Sequence, residues 1–231
     1  MKAMILAAGL GQRMRPLTDH LPKPLLCVGG KPLLQYHLEA LARNGIKDVI
    51  INLAHLGEKI ISFAGDGSQF GLNVSYSREP EPLETAGALL HALPLLGKDP
   101  FLLINGDVWS DFRLEQLCGY SLGTNELAHL VLVPNPGFHP QGDFAPDAQN
   151  WLADDHTIAQ YKLAKYTFSG ISLIDPQLIS QYPHQRQKFP LGEVLRYGIT
   201  QQHISAEVYR GRWSDVGTPE RLQLLDGELT P

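Results

Sequence analysis

Two glycines, three cations and two widely separated aspartates are the residues here whose types and spacing could do chemistry. Gly9 and Gly11 lie in Ala7-Ala8-Gly9-Leu10-Gly11-Gln12-Arg13-Met14-Arg15-Pro16-Leu17-Thr18. Glycine lets the backbone approach a ligand and turn without a Cβ penalty. Successive N–H groups across such a loop, from Ala8 to Gln12, make a concavity suited to an anion. Arg13 and Arg15 add guanidinium groups that fork onto phosphate oxygens. Shortly after, Pro22-Lys23-Pro24 holds one ammonium between two rings that fix the backbone on either side. A rigid Lys beside a glycine loop suits a triphosphate. The Gly-Lys-Ser/Thr of a Walker site is absent, and Met14 stands where a dinucleotide loop needs its third glycine. The residues alone leave one plain alternative open: a turn packed on a helix, its arginines in solvent.

Asp107 follows the apolar run Phe101–Ile104 within Asn105-Gly106-Asp107. A carboxylate at the carboxyl end of a strand is placed to hold Mg²⁺, which takes oxygen ligands and substrate phosphates. The same Asp would equally suit a cap of the next turn. Asp215 stands in Arg212-Trp213-Ser214-Asp215-Val216-Gly217-Thr218, just before a helix start with Thr218 as N-cap and Pro219 at the first position.

Something must carry these loops. Lys2–Ala8 reads as a buried strand closed by glycine, Asp48–Leu53 and Asn73–Ser77 as further strands, and Phe101–Ile104 as the strand before Asp107. Between them, Pro32–Asn44 reads as a helix ended by Asn44-Gly45, Glu58–Phe63 as a short helix, and Thr85–Leu93 as a helix stopped near Pro94. Leu127–Val133, Tyr166–Ile174 and Ala206–Tyr209 follow as strands and Pro219–Leu225 as a helix, with Pro134–Asp155 the least regular stretch. This alternation predicts a parallel sheet covered on both faces, in one domain over residues 1–231. In such sheets ligands bind beyond the carboxyl ends of the strands at a switch point. The loops after Ala8, Ser77 and Ile104 therefore matter most.

The run Leu6–Thr18, followed by Pro22–Pro24, resembles the sugar-1-phosphate nucleotidyltransferases, whose pattern is Leu-Ala-[AG]-Gly-x-Gly-x-Arg-[LM]-x-Pro-Leu-Thr and then Pro-Lys-Pro. The resemblance implies a Rossmann-like three-layer α/β domain with a mostly parallel mixed sheet, of the nucleotide-diphospho-sugar transferase type. It implies a reaction that joins a nucleoside triphosphate to a sugar-1-phosphate and releases pyrophosphate. By the same resemblance, Ala8, Gly9, Gly11, Gln12, Arg13 and Lys23 hold the triphosphate, Lys23 and Arg13 stabilise its charge, and Asp107 and Asp215 bind Mg²⁺. Convergence of two carboxylates more than 100 residues apart rests on the resemblance, not on spacing. The acceptor phosphate is already an anion near neutral pH, so the reaction needs no side-chain base.

The family reads base and sugar edge over the stretch Glu79–Gly87, which implies roles for Pro80, Glu84 and Gly87; Glu84 would equally favour a helix N-terminus. Sugar contacts are implied at Asn105, Gly142, Asp143 and Lys162. The family's Glu-Lys-Pro has no clear counterpart in Tyr161-Lys162-Leu163, although Lys162 and Lys165 would suit a sugar with an extra carboxylate. Solvated surface lysines would read the same way. Length, Glu84-Thr85-Ala86-Gly87 and Asn105–Trp109 are most similar to the uridylyltransferase branch whose sugar carries a lactyl carboxylate. Branches that use guanosine with mannose or thymidine with glucose stay open.

Composition narrows the classes. Nineteen Lys+Arg against 24 Asp+Glu give a net charge of −5, so no basic excess recommends nucleic acid or an anionic membrane. No stretch approaches about 18 uncharged apolar residues. The apolar run before Gly9 is too short for a signal peptide, so a cytoplasmic protein is expected, with Cys27 and Cys118 as buried reduced thiols. Nine histidines include no His-x-x-x-His pair, and zinc is not indicated. No obligate protein partner is evident. A binding-only relative of the same fold would be expected to lack Lys23, Asp107 or Asp215, and all three are present.

Overall fold

The computed structural model describes residues 1–230. The chain runs β1 (Lys2–Leu6), β2 (Cys27–Val28), β3 (Lys31–Pro32), α1 (Leu33–Arg43), β4 (Asp48–Leu53), α2 (Gly57–Ala64), β5 (Asn73–Arg78), α3 (Glu84–Leu96) and β6 (Phe101–Asn105). It continues through β7 (Val108–Ser110), α4 (Glu115–Cys118), β8 (Ala128–Val133), α5 (Asp155–Tyr161), β9 (Thr167–Ile174), α6 (Gln177–Ser180), α7 (Leu191–Thr200), β10 (Ile204–Val208), β11 (Trp213–Asp215) and α8 (Pro219–Leu229).

Seven strands form the central sheet in the order β10-β8-β9-β6-β1-β4-β5. Every neighbouring pair is parallel except the two made by β9, which runs antiparallel to β6 and β8. The mostly parallel mixed sheet is thus as expected. After β1 the chain builds outward to β4 and β5, then returns through α3 to place β6 on the other side of β1. That reversal makes the carboxyl end of β1 the switch point, where a crevice opens.

Strand alternation explains the two cores. Met4, Phe101 and Leu103 face one side with Leu89 of α3 and Val194 of α7; Ala3, Ile5, Leu102 and Ile104 face the other with Leu34 and Leu38 of α1 and Ile60 of α2. All of these are almost wholly buried. Each large side chain among them contributes about 1.5–3 kcal/mol by leaving water.

Several boundaries moved. Helix α3 does not stop at Pro94 but runs to Leu96, because Ala92 and Leu96 pack into the core and Gly97, at φ 91°, makes the stop. Pro94 lacks the N–H that would donate to the Leu90 carbonyl, so the helix gives up one bond there and core packing of the last turn outweighs the loss. Helix α7 escapes the sequence pattern because Gly192 and Gly198 lower its propensity; Gly198 is there because a Cβ would sit 2.8 Å from Ile204. Cys27 is exposed and Cys118 only half-buried, which corrects the expectation of two buried thiols. No helix among the described residues is long and apolar enough to cross a membrane.

Far from the switch point, a buried polar cluster clasps edge strand β10 to β8. Tyr120 donates to Glu126 Oε1 at 2.9 Å, and the Ser205 hydroxyl joins the same carboxylate to the His129 ring. Burial works against both charges, yet it is outweighed. Hydrogen bonds from His129, the Gly123 N–H, Ser205 and Tyr120 bring Glu126 down to about 2, and Glu126 and Glu207 raise His129. Glu126 therefore stabilises the fold above its ordinary value of 4.5 and loses that contribution as pH falls toward 2. His129 stabilises below 6.5 and loses its contribution as pH rises through its raised folded-state value. Glu126→Gln is expected to cost about 3 kcal/mol. The difference in urea midpoint from the parent should peak between pH 4.5 and 6.5; a gap that does not change with pH would contradict the assignment.

Candidate active site

A cavity of about 650 Å³ opens at the carboxyl ends of β1 and β6. Its lining includes Ala8, Gly9, Gly11, Gln12, Arg13, Lys23, Glu84, Asn105 and Asp107, so nine residues singled out in the sequence converge there.

The loop after β1 is held by its own contacts. Gly11 adopts φ 63°, its carbonyl accepts from Thr18 Oγ1 at 2.8 Å and from the Met14 N–H at 2.8 Å, and a Cβ on it would press Thr18 at 2.9 Å. Gly9 is different. A Cβ there would meet no protein atom within 4 Å, and its φ lies outside the left-handed range. Nothing within the chain requires glycine at position 9.

Lys23 begins a short 3₁₀ turn set by Pro22 and Pro24, and only 9% of it is exposed. Its Nζ lies 2.5 Å from Asp107 Oδ2. Gly106 makes this possible: its N–H donates to the Leu6 carbonyl at 2.9 Å, and a Cβ would stand 2.7 Å from that oxygen. Asn105, beside it, packs against Gly170, which has room for the amide only because it lacks a Cβ. Behind them His37 is pushed down to about 4 by burial, against the pull of Asp107 and the Val108 backbone, and so adds no charge at neutral pH.

Asp215 comes to the same place by strand pairing. β11 runs antiparallel to β7 with Asp215 opposite Val108, and the Val216 N–H donates to the Asp107 carbonyl at 2.9 Å. Asp215 itself is outside the cavity lining, but Gly217 is part of it. Its Oδ2 accepts from Arg221 Nη1 at 3.0 Å. Among the described residues no group of three or more His, Cys, Asp or Glu side chains could hold a metal alone. The two aspartates fit a hard cation that keeps water and takes phosphate oxygens, as Mg²⁺ does. Both side chains are partly exposed, at 35% and 27%.

At the other end of the cavity lie two residues the sequence reading passed over. Asn52 of β4 accepts the Ala7 N–H at 2.6 Å and donates to Glu79 Oε1 at 2.7 Å, while Glu79 Oε2 accepts the Leu83 N–H. Both are buried and both line the cavity. An Asn in a strand that is otherwise apolar beyond Asp48 was the available signal. Glu84 begins α3 at φ 61°, faces the cavity and makes no capping hydrogen bond. Lys188 also reaches the lining, from the segment packed on α3.

The remaining sequence candidates stand outside the lining. Pro80 is exposed. Gly87 lacks a side chain because one would strike the Gln187 carbonyl at 2.4 Å, a need internal to the fold. Gly142 takes φ 62° beside Asn135. Asp143 spends both oxygens within the chain, on the Phe168 N–H at 2.8 Å and on His139 at 3.0 Å. Lys162 is exposed at the end of α5, and Lys165 pairs with Asp155 at 3.4 Å.

The family model described as nucleotidyl transferase matches residues 2–136, which hold the glycine loop, Lys23 and Asp107. The chain belongs to the nucleotidyl transferase family. It is 44% identical over 227 residues to the N-acetylmuramate alpha-1-phosphate uridylyltransferase of Neisseria meningitidis serogroup B, covering 96% of each protein. It is 39% identical to the mannose-1-phosphate guanyltransferase of Yarrowia lipolytica, matching 95% of this chain and 61% of that protein. The glucose-1-phosphate thymidylyltransferase of Streptomyces griseus is 31% identical, with 94% and 62% covered. Thus the chain spans less than two thirds of those two longer relatives. Its fold matches the crystal structure of a Bacillus anthracis protein in complex with sucrose, with a TM-score of 0.85, 22% identity and coverage of 99% of this chain and 95% of that one. Within the family this is a sugar-1-phosphate nucleotidyltransferase.

Proposed function

We propose that the chain transfers a uridylyl group from UTP to N-acetylmuramate 1-phosphate and releases pyrophosphate, with Mg²⁺ as cofactor. The observation that carries this reading is likeness along the whole length: 44% identity over 96% of both chains, against relatives for mannose and glucose that match only part of their own length. The product would return a cell-wall sugar to nucleotide-linked form, in the cytoplasm where UTP is made. The whole chain would act as one domain.

In this reading the backbone from Ala8 to Gln12 cradles the triphosphate, with Gly9 leaving room for it. Arg13 and Lys23 stabilise charge on the reacting and leaving phosphates, which in-line transfer requires more than any proton transfer. The acceptor phosphate is already anionic, and neutral His37 is not asked to act as a base. Mg²⁺, held by Asp107 and Asp215, would supply charge neutralisation across donor and acceptor phosphates. Asn52 and Glu79 fix the loop that carries Leu83 and Glu84, next to which the base would lie. The lactyl carboxylate of the sugar needs a cation, for which Lys162 and Lys165 are the candidates read from the sequence, while Lys188 is a further cation that lines the cavity; Pro80, Gly87, Asn105, Gly142 and Asp143 would shape the base and sugar edges.

Pyrophosphate release, measured over a grid of nucleoside triphosphates and sugar-1-phosphates with Mg²⁺, tests the reading. UTP with N-acetylmuramate 1-phosphate should be the best pair. Preference for GTP with mannose 1-phosphate would replace it, and no turnover with any pair would favour a binding-only role. Gly9→Ala should fold normally and raise the apparent KM for UTP at least about tenfold, since only a ligand needs the space. Unchanged KM would remove Gly9 from the site.

A further inference from the structure

Arg221 is a charge the proposed reaction does not use, and its surroundings are unusually specific. It sits on the first turn of α8, its N–H donating to the Thr218 Oγ1 cap at 3.4 Å. Its guanidinium donates to Asp215 Oδ2 at 3.0 Å and lies 3.9 Å from the centre of the Phe138 ring, on the loop after β8. Only 15% of the side chain is exposed. Gly217 makes room for it: a Cβ there would fall 2.0 Å from Arg221 Nη2 and 3.1 Å from Asp215 Oδ1. The φ of Gly217 lies outside the left-handed range, so the guanidinium, not the turn, accounts for this glycine. Oδ1, the oxygen Arg221 leaves free, lies beside Gly217, which lines the cavity.

We infer that Arg221 is a positioning residue that fixes the Asp215 carboxylate with one oxygen toward the cavity and keeps a divalent cation from binding there before nucleotide arrives. The inference rests on the proposed metal role of Asp107 and Asp215. Lys23 neutralises Asp107 and Arg221 neutralises Asp215, so the free protein offers the cation two carboxylates and two opposing positive charges. Triphosphate supplies the missing negative charge. Cation and nucleotide then bind together, and an idle cation does not occupy the cavity. The stacking on Phe138 suits a guanidinium better than an ammonium.

Mn²⁺ binding to the nucleotide-free protein, followed by the loss of its free EPR signal, tests this directly. Arg221→Gln should bind Mn²⁺ about tenfold more tightly than the parent, the effect of removing one positive charge near a divalent ion in a well-screened site. Arg221→Lys, which keeps the charge, should stay near the parent. Equal or weaker binding in a folded Arg221→Gln protein would overturn the inference. A parallel arm separates it from the metal assignment: with a non-hydrolysable UTP analogue present, Asp215→Asn should lose protein-bound Mn²⁺, read as the enhanced water-proton relaxation that the Mn²⁺–nucleotide complex alone does not give. Retained binding there would refute the assignment itself; lost binding there with no tightening in Arg221→Gln would refute the inference alone.

Discussion

Asp107→Asn is expected to lower turnover at least about a thousandfold, near 4 kcal/mol of transition-state stabilisation, while the protein stays folded. The substitution keeps the size of the side chain and removes its charge. The carboxylate stands at the exit of β6, fixed by the contact of Gly106 with Leu6 and paired with Lys23. Asn can neither balance that ammonium nor serve a hard cation equally well. The structural cost should be small, about 1 kcal/mol, because the Asp107 side chain is 35% exposed and solvent screens the pair. Single-turnover pyrophosphate release and thermal unfolding of the same sample separate the two effects. Near-parental turnover in a folded protein would remove Asp107 from the chemistry.

Lys23→Ala is expected to cost about a hundred- to a thousandfold in kcat, the range found when one preorganised charge is removed from a developing anion. Unlike Asp107→Asn, it should leave the free protein with an unbalanced Asp107 carboxylate. Mn²⁺ affinity without nucleotide should therefore rise while catalysis falls. Lys23→Arg should remain at least about tenfold below the parent. The site is only 9% exposed and set between two prolines, and a planar fork does not replace a compact ammonium there. Full recovery by Arg would show that only the charge matters.

Local signals carried most of the fold. Asp48–Leu53 reads as a strand and is one residue for residue, since a β-branched run has little other use. Asn44-Gly45 ends α1, with Gly45 at φ 74°, and Thr218-Pro219 starts α8, each through one short-range hydrogen-bonding motif. What stayed hidden depends on pairings distant in the chain. β7 and β11 are three residues each, too short to carry a period, yet their register brings Asp107 and Asp215 together. Asn52 and Glu79 stand in two different segments and acquire meaning only when β4 and β5 lie side by side. At positions 87 and 142 glycine is required by a neighbouring carbonyl or amide, a need that no local sequence pattern displays. Only the surrounding atoms show it.

In the proposed site, Asp107 and Asp215 share one cation beside the glycine loop although they lie over 100 positions apart. Crystals grown with Mn²⁺, a non-hydrolysable UTP analogue and a sugar-1-phosphate would test it through the anomalous signal of the metal. A peak is expected within coordination distance, at about 2.1–2.2 Å, of a carboxylate oxygen of both Asp107 and Asp215, with the triphosphate along Ala8–Gln12. A metal bound elsewhere, or one that touches neither aspartate, would contradict it.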